Sequence, residues 1–184
     1  MIVGERVRLR AIEMDDLCLL AEWRNDPQVA EHFYEREPLS VEMQKRWFER
    51  FLGRADSEKY YIIEGLDEQK PLGTISLYRI DWRNRHSEFG RFFLADKGVR
   101  GKGYGREALT LLLEFAFDQL NLNKIYCDTQ ADNTAAASLY ESLGFRREGL
   151  KRAHIFRKGE YIDLVVLSIL ASEWRDRVQD GGRL

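Results

Sequence analysis

Cysteine is nearly absent: Cys18 and Cys127 are the only two in 184 residues, and no CxxC spacing occurs. Such a chain has no disulfide framework, so both read as small buried apolar residues of a reducing compartment. Histidine is equally sparse, with His32, His86 and His154 scattered singly. A zinc site places two ligands close together on one element, so no metal is expected. A basic surplus is missing too. Lys and Arg number 29 against 31 Asp and Glu, a net charge of −2. Chains that bind by displacing phosphate counterions carry a clear positive excess, so nucleic acid is not the expected partner. No apolar run approaches the ~20 residues of a membrane helix. Charges also interrupt the first ten residues, where a secretory leader would be apolar. The expected setting is the cytoplasm, with no membrane partner. Only three prolines occur, and no Gly/Ser-rich linker divides the chain. That pattern predicts one domain over 1–176 and a frayed tail over 177–184.

What is present suffices for a core. Apolar residues make up 44% and charged residues 33% of the chain, which excludes a disordered polymer. Val7 to Ile12 alternate apolar and charged residues, the period of a half-buried strand. Asp15 or Asp16 can cap a helix carrying Leu17, Leu20, Ala21 and Trp23, and Pro27 should end it. Ser40 opens a second helix through Trp47, Phe48 and Phe51, which stops at Gly53. Strands follow at 59–64, 72–80 and 86–94, joined by turns at 67–71 and 81–85. A long helix reaches Phe117 or Gln119, then a strand at 124–129 and a helix closed by Gly144. Two final strands, 145–156 and 161–170, meet at Arg157-Lys158-Gly159-Glu160. The expected class is α+β, an α/β sandwich with a mixed, mostly antiparallel sheet of about seven strands and helices on both faces. An exposed strand edge near the end of the chain is the candidate surface for a homodimer.

The glycine-rich stretch from Gly98 to Gly105 carries the most chemistry. It follows a strand and opens a helix, where free backbone N–H groups and the helix dipole bind phosphate oxygens. Gly101, Gly103 and Gly105 allow the backbone to approach a ligand closely. Lys97, Arg100, Lys102 and Arg106 add positive charge there. The spacing is neither GxxxxGK[ST] nor GxGxxG in a parallel unit, so a Walker loop and a dinucleotide fingerprint are both excluded.

Arg100-Gly101-Lys102-Gly103-Tyr104-Gly105 resembles the Arg/Gln-x-x-Gly-x-Gly/Ala acetyl-CoA loop of the GNAT superfamily of N-acetyltransferases. Downstream, Asn133 to Phe145 is similar to that superfamily's Asn-x-x-Ala-x-x-x-Tyr-x-x-x-Gly-Phe segment. The resemblance runs from Val7 to Trp174 and implies the GNAT fold with acetyl-CoA as co-substrate. It assigns the N–H groups of Arg100, Gly101, Lys102, Gly103, Tyr104, Gly105 and Arg106 to the pyrophosphate. Phe93, Leu94 and Ala95 would pair their backbone with the pantetheine arm in a cleft between two splayed strands. An N–H near Leu94 would polarise the thioester carbonyl, and Asn133 would hydrogen-bond the arm. Tyr140 is the implied general acid for the departing thiolate, its alternative role being a core aromatic. Glu88 is the candidate base, its alternative an ion pair with Arg79, Arg83 or Arg85. Cys127 has no histidine partner and is not the expected nucleophile.

Trp23 to Pro27, Glu148 to Arg152 and Tyr161 to Asp163 look most like the branch containing ribosomal-protein alanine, spermidine and amino-sugar-nucleotide N-acetyltransferases. There the N-terminal helices wall the acceptor pocket, which gives Trp23, Phe33, Tyr34 and Glu35 as candidate lining. The acids Glu31, Glu35, Glu37 and Glu42 would attract a polyamine, unless they form a solvated helix face. The expected activity is transfer of acetyl to a primary amine by direct attack in a ternary complex, with an amino-sugar nucleotide or polyamine as acceptor. A protein N-terminus is the alternative acceptor. A non-catalytic acyl-CoA-binding module is the alternative of another class.

Overall fold

The structure is a computed structural model that describes residues 1–30, 33, 37–67 and 69–179. Its centre is a sheet of eight strands in the order β1-β2-β3-β4-β5-β6-β8-β7. These are β1 (Ile2–Val3), β2 (Val7–Ala11), β3 (Lys59–Gly65), β4 (Pro71–Asp81), β5 (His86–Leu94), β6 (Lys124–Gln130), β7 (Arg146–Arg157) and β8 (Glu160–Leu170). Every neighbouring pair is antiparallel except β5 and β6. A parallel pair needs a crossover, and here it is a helix, α4 (Tyr104–Glu114). The strand beyond the expected seven is β1, whose two residues are too few to show alternation.

One face of the sheet is covered by α4, α5 (Thr134–Ser142) and α6 (Ala171–Gln179). Leu109, Leu112, Phe117, Tyr140, Leu143 and Trp174 pack there against Leu77, Phe89 and Ile125. The wide apolar stripe of α4 is explained by this position, because most of its circumference meets sheet or neighbouring helix. The other face is covered by α1 (Leu17–Asn25) and α3 (Val41–Leu52), with the short α2 (Pro27–Ala30) between them. Leu17, Leu20, Phe48 and Phe51 close over Tyr60 and Ile62 there. Among the described residues no helix is long and apolar enough to cross a membrane.

The local signals act as their chemistry requires. Ser40 accepts a hydrogen bond from the Met43 N–H at 3.1 Å and so caps α3. Gly144 ends α5 in the left-handed conformation, φ 99°. Asp26 adopts extended geometry before Pro27 and stops α1. Other expectations need correction. Neither Asp15 nor Asp16 caps α1 through its side chain: Met14–Asp16 form a 3-10 turn, and the Asp16 carboxylate pairs with Arg10 at 2.7 Å. Cys18 is exposed rather than buried, since α1 turns Leu17, Leu20 and Ala21 inward and Cys18 to solvent. The chain also continues past β8 into α6, which Trp174 anchors against Phe117. Residues 177–179 of the expected tail belong to that helix, and 180–184 lie outside the described residues.

Candidate active site

β5 and β6 pair only from His86↔Lys124 to Glu88↔Tyr126, and then separate. β5 runs on to Leu94 while β6 stays paired with β8 as far as Gln130, so a wedge opens between them. A β-bulge accompanies it. The register with β4 goes from Ser76↔Gly90 to Thr74↔Phe93, so β5 carries one extra residue there. Arg91 stands in that segment at φ 47°, a left-handed state that costs a non-glycine residue about 1–2 kcal/mol. Gly73 lets the bulged strand come close, because a Cβ there would overlap the Phe93 carbonyl.

At the end of β5 the Ala95 N–H donates to the Leu72 carbonyl at 2.8 Å. The neighbouring pair Gly73↔Leu94 is then a non-hydrogen-bonded one, so the Leu94 N–H and C=O face away from β4, toward the wedge. Arg100 uses this, donating to the Leu94 carbonyl from Nη2 at 2.9 Å and Nε at 3.2 Å. The Ala95 N–H, expected in the cleft, is committed to β4 instead. Beyond it the backbone passes through a 3-10 turn, Lys97–Val99, to Gly101 at φ 73° and Gly103 at φ 89°. Gly103 is the N-cap of α4 and offers no side chain to cap it, so the first N–H groups of the helix point out of its N-terminus. Arg106 turns to α5, where its Nη2 donates to Ser142 Oγ at 2.6 Å. The Asn133 side-chain oxygen, expected on a pantetheine arm, accepts from the Ala136 N–H at 3.2 Å and caps α5.

Arg6 joins this loop unannounced by the sequence. Its Nη1 donates to the Lys102 carbonyl at 2.9 Å, and its Nε pairs with Glu107 at 3.0 Å. No spacing signal marks it, because its partners lie about a hundred residues downstream.

Tyr140 and Glu88 stand on opposite faces of β5. The Tyr140 ring packs edge-on against Phe89 at 5.1 Å and tilted against Phe145 at 5.8 Å. Glu88, one residue earlier, points to the other face. There its Oε1 accepts from the Tyr78 hydroxyl at 2.7 Å and its Oε2 pairs with Arg79 Nη1 at 2.8 Å. Arg79 reaches it from a second bulge, between Tyr78 and Asp81, at φ 53°. Glu88 is also the last residue of β5 paired with β6, so both groups flank the apex of the wedge. Cys127 is buried, which pushes its thiol well above the ordinary range and keeps it protonated. Among the described residues no three His, Cys, Asp or Glu side chains are grouped to hold a metal ion.

Residues 6–146 match the family model described as an acetyltransferase (GNAT) domain. This chain belongs to the GNAT family. An uncharacterized N-acetyltransferase of Bacillus licheniformis, p20, is 30% identical over 175 residues, 92% of this chain and 96% of that one. A spermidine N(1)-acetyltransferase of Vibrio cholerae is 29% identical over 176 residues, 95% of this chain and 99% of the relative. The crystal structure of a Vibrio cholerae spermidine N-acetyltransferase with CoA and spermine superposes with a TM-score of 0.85. It is 27% identical, over 94% of this chain and 99% of that chain.

On the α1/α3 face of this acetyltransferase, aromatic rings converge on β5. Trp23 and Phe33 meet Phe93 edge-on at 5.8 Å and 5.5 Å, and the Arg24 guanidinium lies 4.0 Å over the Phe33 ring. Two candidate lining residues, Tyr34 and Glu35, lie outside the described residues, as do Glu31 and His32. Reasoning from sequence missed Arg91, Tyr78 and Glu58 here. Strict alternation puts Arg91 on the same side as Phe89, under α4. The bulge reverses that parity: Phe92 and Leu94 pack with the α4 core, whereas Arg91 sits over Tyr78 and Tyr60.

Proposed function

We propose that this GNAT domain is an acetyl-CoA-dependent N-acetyltransferase acting by direct attack of a small polar amine in a ternary complex. The observation that carries this reading is the wedge itself, with an open helix N-terminus at its mouth and Glu88 and Tyr140 at its apex on opposite faces. The bound thioester supplies the acetyl group. The N–H groups at the start of α4 hold its diphosphate, with Arg6 and Arg100 keeping the loop in place. The Leu94 N–H, turned into the wedge, donates to the thioester carbonyl as charge builds on that oxygen. Glu88 takes the proton that the acceptor ammonium must lose, directly or through one water. As the new C–N bond forms and the C–S bond breaks, the Tyr140 hydroxyl gives its proton to the leaving sulfur, and the second proton that the nitrogen sheds on becoming an amide returns to the phenolate through solvent. Holding both reactants in one cleft supplies much of the rate advantage.

Two acceptor classes are compatible with this machinery. Similarity to the spermidine enzyme of Vibrio cholerae favours a polyamine, and Arg24 and Arg91 on the acceptor face favour an amine that also bears a negative group, as an amino-sugar nucleotide does. Free-thiol release from acetyl-CoA, measured with spermidine, amino-sugar nucleotides and N-terminal peptides, tests both. Amine-dependent release is expected, and Tyr140→Phe should lower kcat by about 10²-fold while acetyl-CoA affinity stays within about twofold. Tight binding with no release would instead identify an acyl-CoA-binding module. Selective turnover of peptides would identify a protein N-terminus as acceptor.

A further inference from the structure

Glu88 is not the only carboxylate beside the wedge. β6 pairs with β5 as far as Tyr126 and then runs on to Gln130 with β8 alone. Asp128 stands on that length, two residues and about 7 Å of strand past Tyr126. Ile125 and Cys127 belong to the core under α4 and α5, so Tyr126 and Asp128 point to the opposite face, the one that carries Glu88. The contact of the Tyr126 ring with His86 at 5.8 Å agrees, because His86 and Glu88 share a parity on β5. Burial is the first cause that raises the Tyr126 hydroxyl and the Cys127 thiol, and Glu88 and Asp128 both add to each rise. The two carboxylates therefore act on one short stretch of β6.

They differ in what their oxygens already hold. Glu88 uses both, Oε1 accepting from Tyr78 and Oε2 pairing with Arg79. Asp128 uses one. Its Oδ2 pairs with the Lys151 ammonium from β7, while its Oδ1 is buried and accepts from no donor among the described residues. A buried carboxylate oxygen without a donor carries a desolvation cost, and a ligand that brings a donor removes it. Lys151 shows which donor suits this group: an alkyl ammonium.

We propose that Asp128 is a second acceptor-binding carboxylate, whose Oδ1 accepts an N–H of the attacking nitrogen while Glu88 takes the first proton that this nitrogen loses. This rests on the acetyltransferase reading above and adds a binding residue to it. A primary ammonium has three N–H donors. With one proton passed to Glu88 and another N–H held on Asp128, the nitrogen lone pair keeps one direction, toward the thioester. An alcohol of the same shape brings a single uncharged donor and binds less tightly.

Thiol release from acetyl-CoA, followed with spermidine, an amino-sugar nucleotide and an alanine-terminated peptide, first selects the best acceptor. For that amine, Asp128→Asn should lower kcat/KM about tenfold or more, with KM rising. Acetyl-CoA affinity, measured by calorimetry, should stay within about twofold. Lys151→Met removes the ion pair and keeps the carboxylate, so it should leave kcat/KM within about threefold. Calorimetry on the CoA-bound protein, with the acceptor against its analogue bearing hydroxyl in place of the reacting amine, reads the same contact without turnover. The wild type should prefer the amine about tenfold or more, and Asp128→Asn should erase most of that preference. Equal binding of amine and alcohol by the wild type overturns the proposal, whatever the variant does. So does Asp128→Asn turnover within about threefold of wild type. An equal loss in Lys151→Met overturns it too, since Asp128 would then only fasten β7. In each of these cases acetyl transfer stands. No release with any amine overturns the acetyltransferase reading and this proposal together.

Discussion

The two halves of the site are made of different material. At the mouth of the wedge the groups we propose to face the ligand are main-chain ones: the Leu94 N–H and the N–H groups that open α4 behind Gly103. On the α1/α3 face they are side chains: Trp23, Phe33, Tyr78, Glu88 and Arg91. A main-chain site depends on backbone conformation, so it recurs wherever the glycine pattern that permits the conformation recurs. A side-chain site depends on which residue stands at each position and on strand parity, and a single extra residue reverses that parity. The first kind can be transferred between relatives by motif; the second has to be read from the individual fold.

The sharpest way to break this contrast is Gly103→Val. Gly103 is at φ 89°, where a β-branched residue is strained whatever the space, and its Cβ would press on the Arg6 guanidinium at 3.1 Å. The expected result is loss of acetyl-CoA binding by at least about 10²-fold in calorimetry, with the sheet intact by circular dichroism. Retention of wild-type affinity would mean that side chains, not the N-cap backbone, hold the diphosphate.

The same contrast explains what could be read in advance. The strands from Val7 onward, the helices α3, α4 and α5, and the loop at residues 100–106 were legible because period, caps and glycines are local signals. Glu88 and Tyr140 were legible as residues, but their placement on opposite faces of β5 was not, since it depends on a packing partner, Phe89, and on Tyr78 from the adjacent strand. Arg6 and Arg91 were invisible for two separate reasons. Arg6 acts across about a hundred residues of chain, and Arg91 owes its position to a bulge that no turn residue announces. Helix α6 was missed because its sequence is strongly polar, with Trp174 as the main buried anchor.

Glu88→Gln sharpens the side-chain half, with an intermediate effect. The amide can still accept the Tyr78 hydrogen bond but cannot take a proton, and it gives up the ion pair with Arg79. We expect kcat to fall by about 10-fold to 10²-fold with acetyl-CoA affinity unchanged. Rising pH should then recover the rate, because bulk solvent deprotonates the amine in place of the enzyme. A loss below about threefold, with an unaltered pH profile, would make Glu88 only the anchor for Arg79.

The smallest expected effect concerns how the main-chain half is fastened to the rest of the sheet. Glu107, in the first turn of α4, accepts the Arg6 N–H at 2.8 Å and the Val7 N–H at 3.3 Å, and pairs with Arg6 Nε. Partial burial alone would raise its pKa, but these donors outweigh burial and hold it below the ordinary 4.5. A carboxylate depressed on folding stabilises the native state above its unfolded pKa, and that contribution is lost as pH falls through the folded value. Glu107→Gln should therefore lower Tm at pH 7 by about 3–8 °C, from roughly 1–3 kcal/mol of charge-assisted hydrogen bonding. The gap between variant and wild type should narrow as pH drops below 4.5 and close below the folded value, where the wild-type carboxylate is protonated as well. Acetyl-CoA affinity should fall by less than about threefold, since the N–H groups proposed to bind the diphosphate are set by Gly101 and Gly103 rather than by this strut. A Tm gap that stays constant from pH 7 to pH 3 would show that the fastening is steric, and that the negative charge beside Arg6 contributes nothing to it.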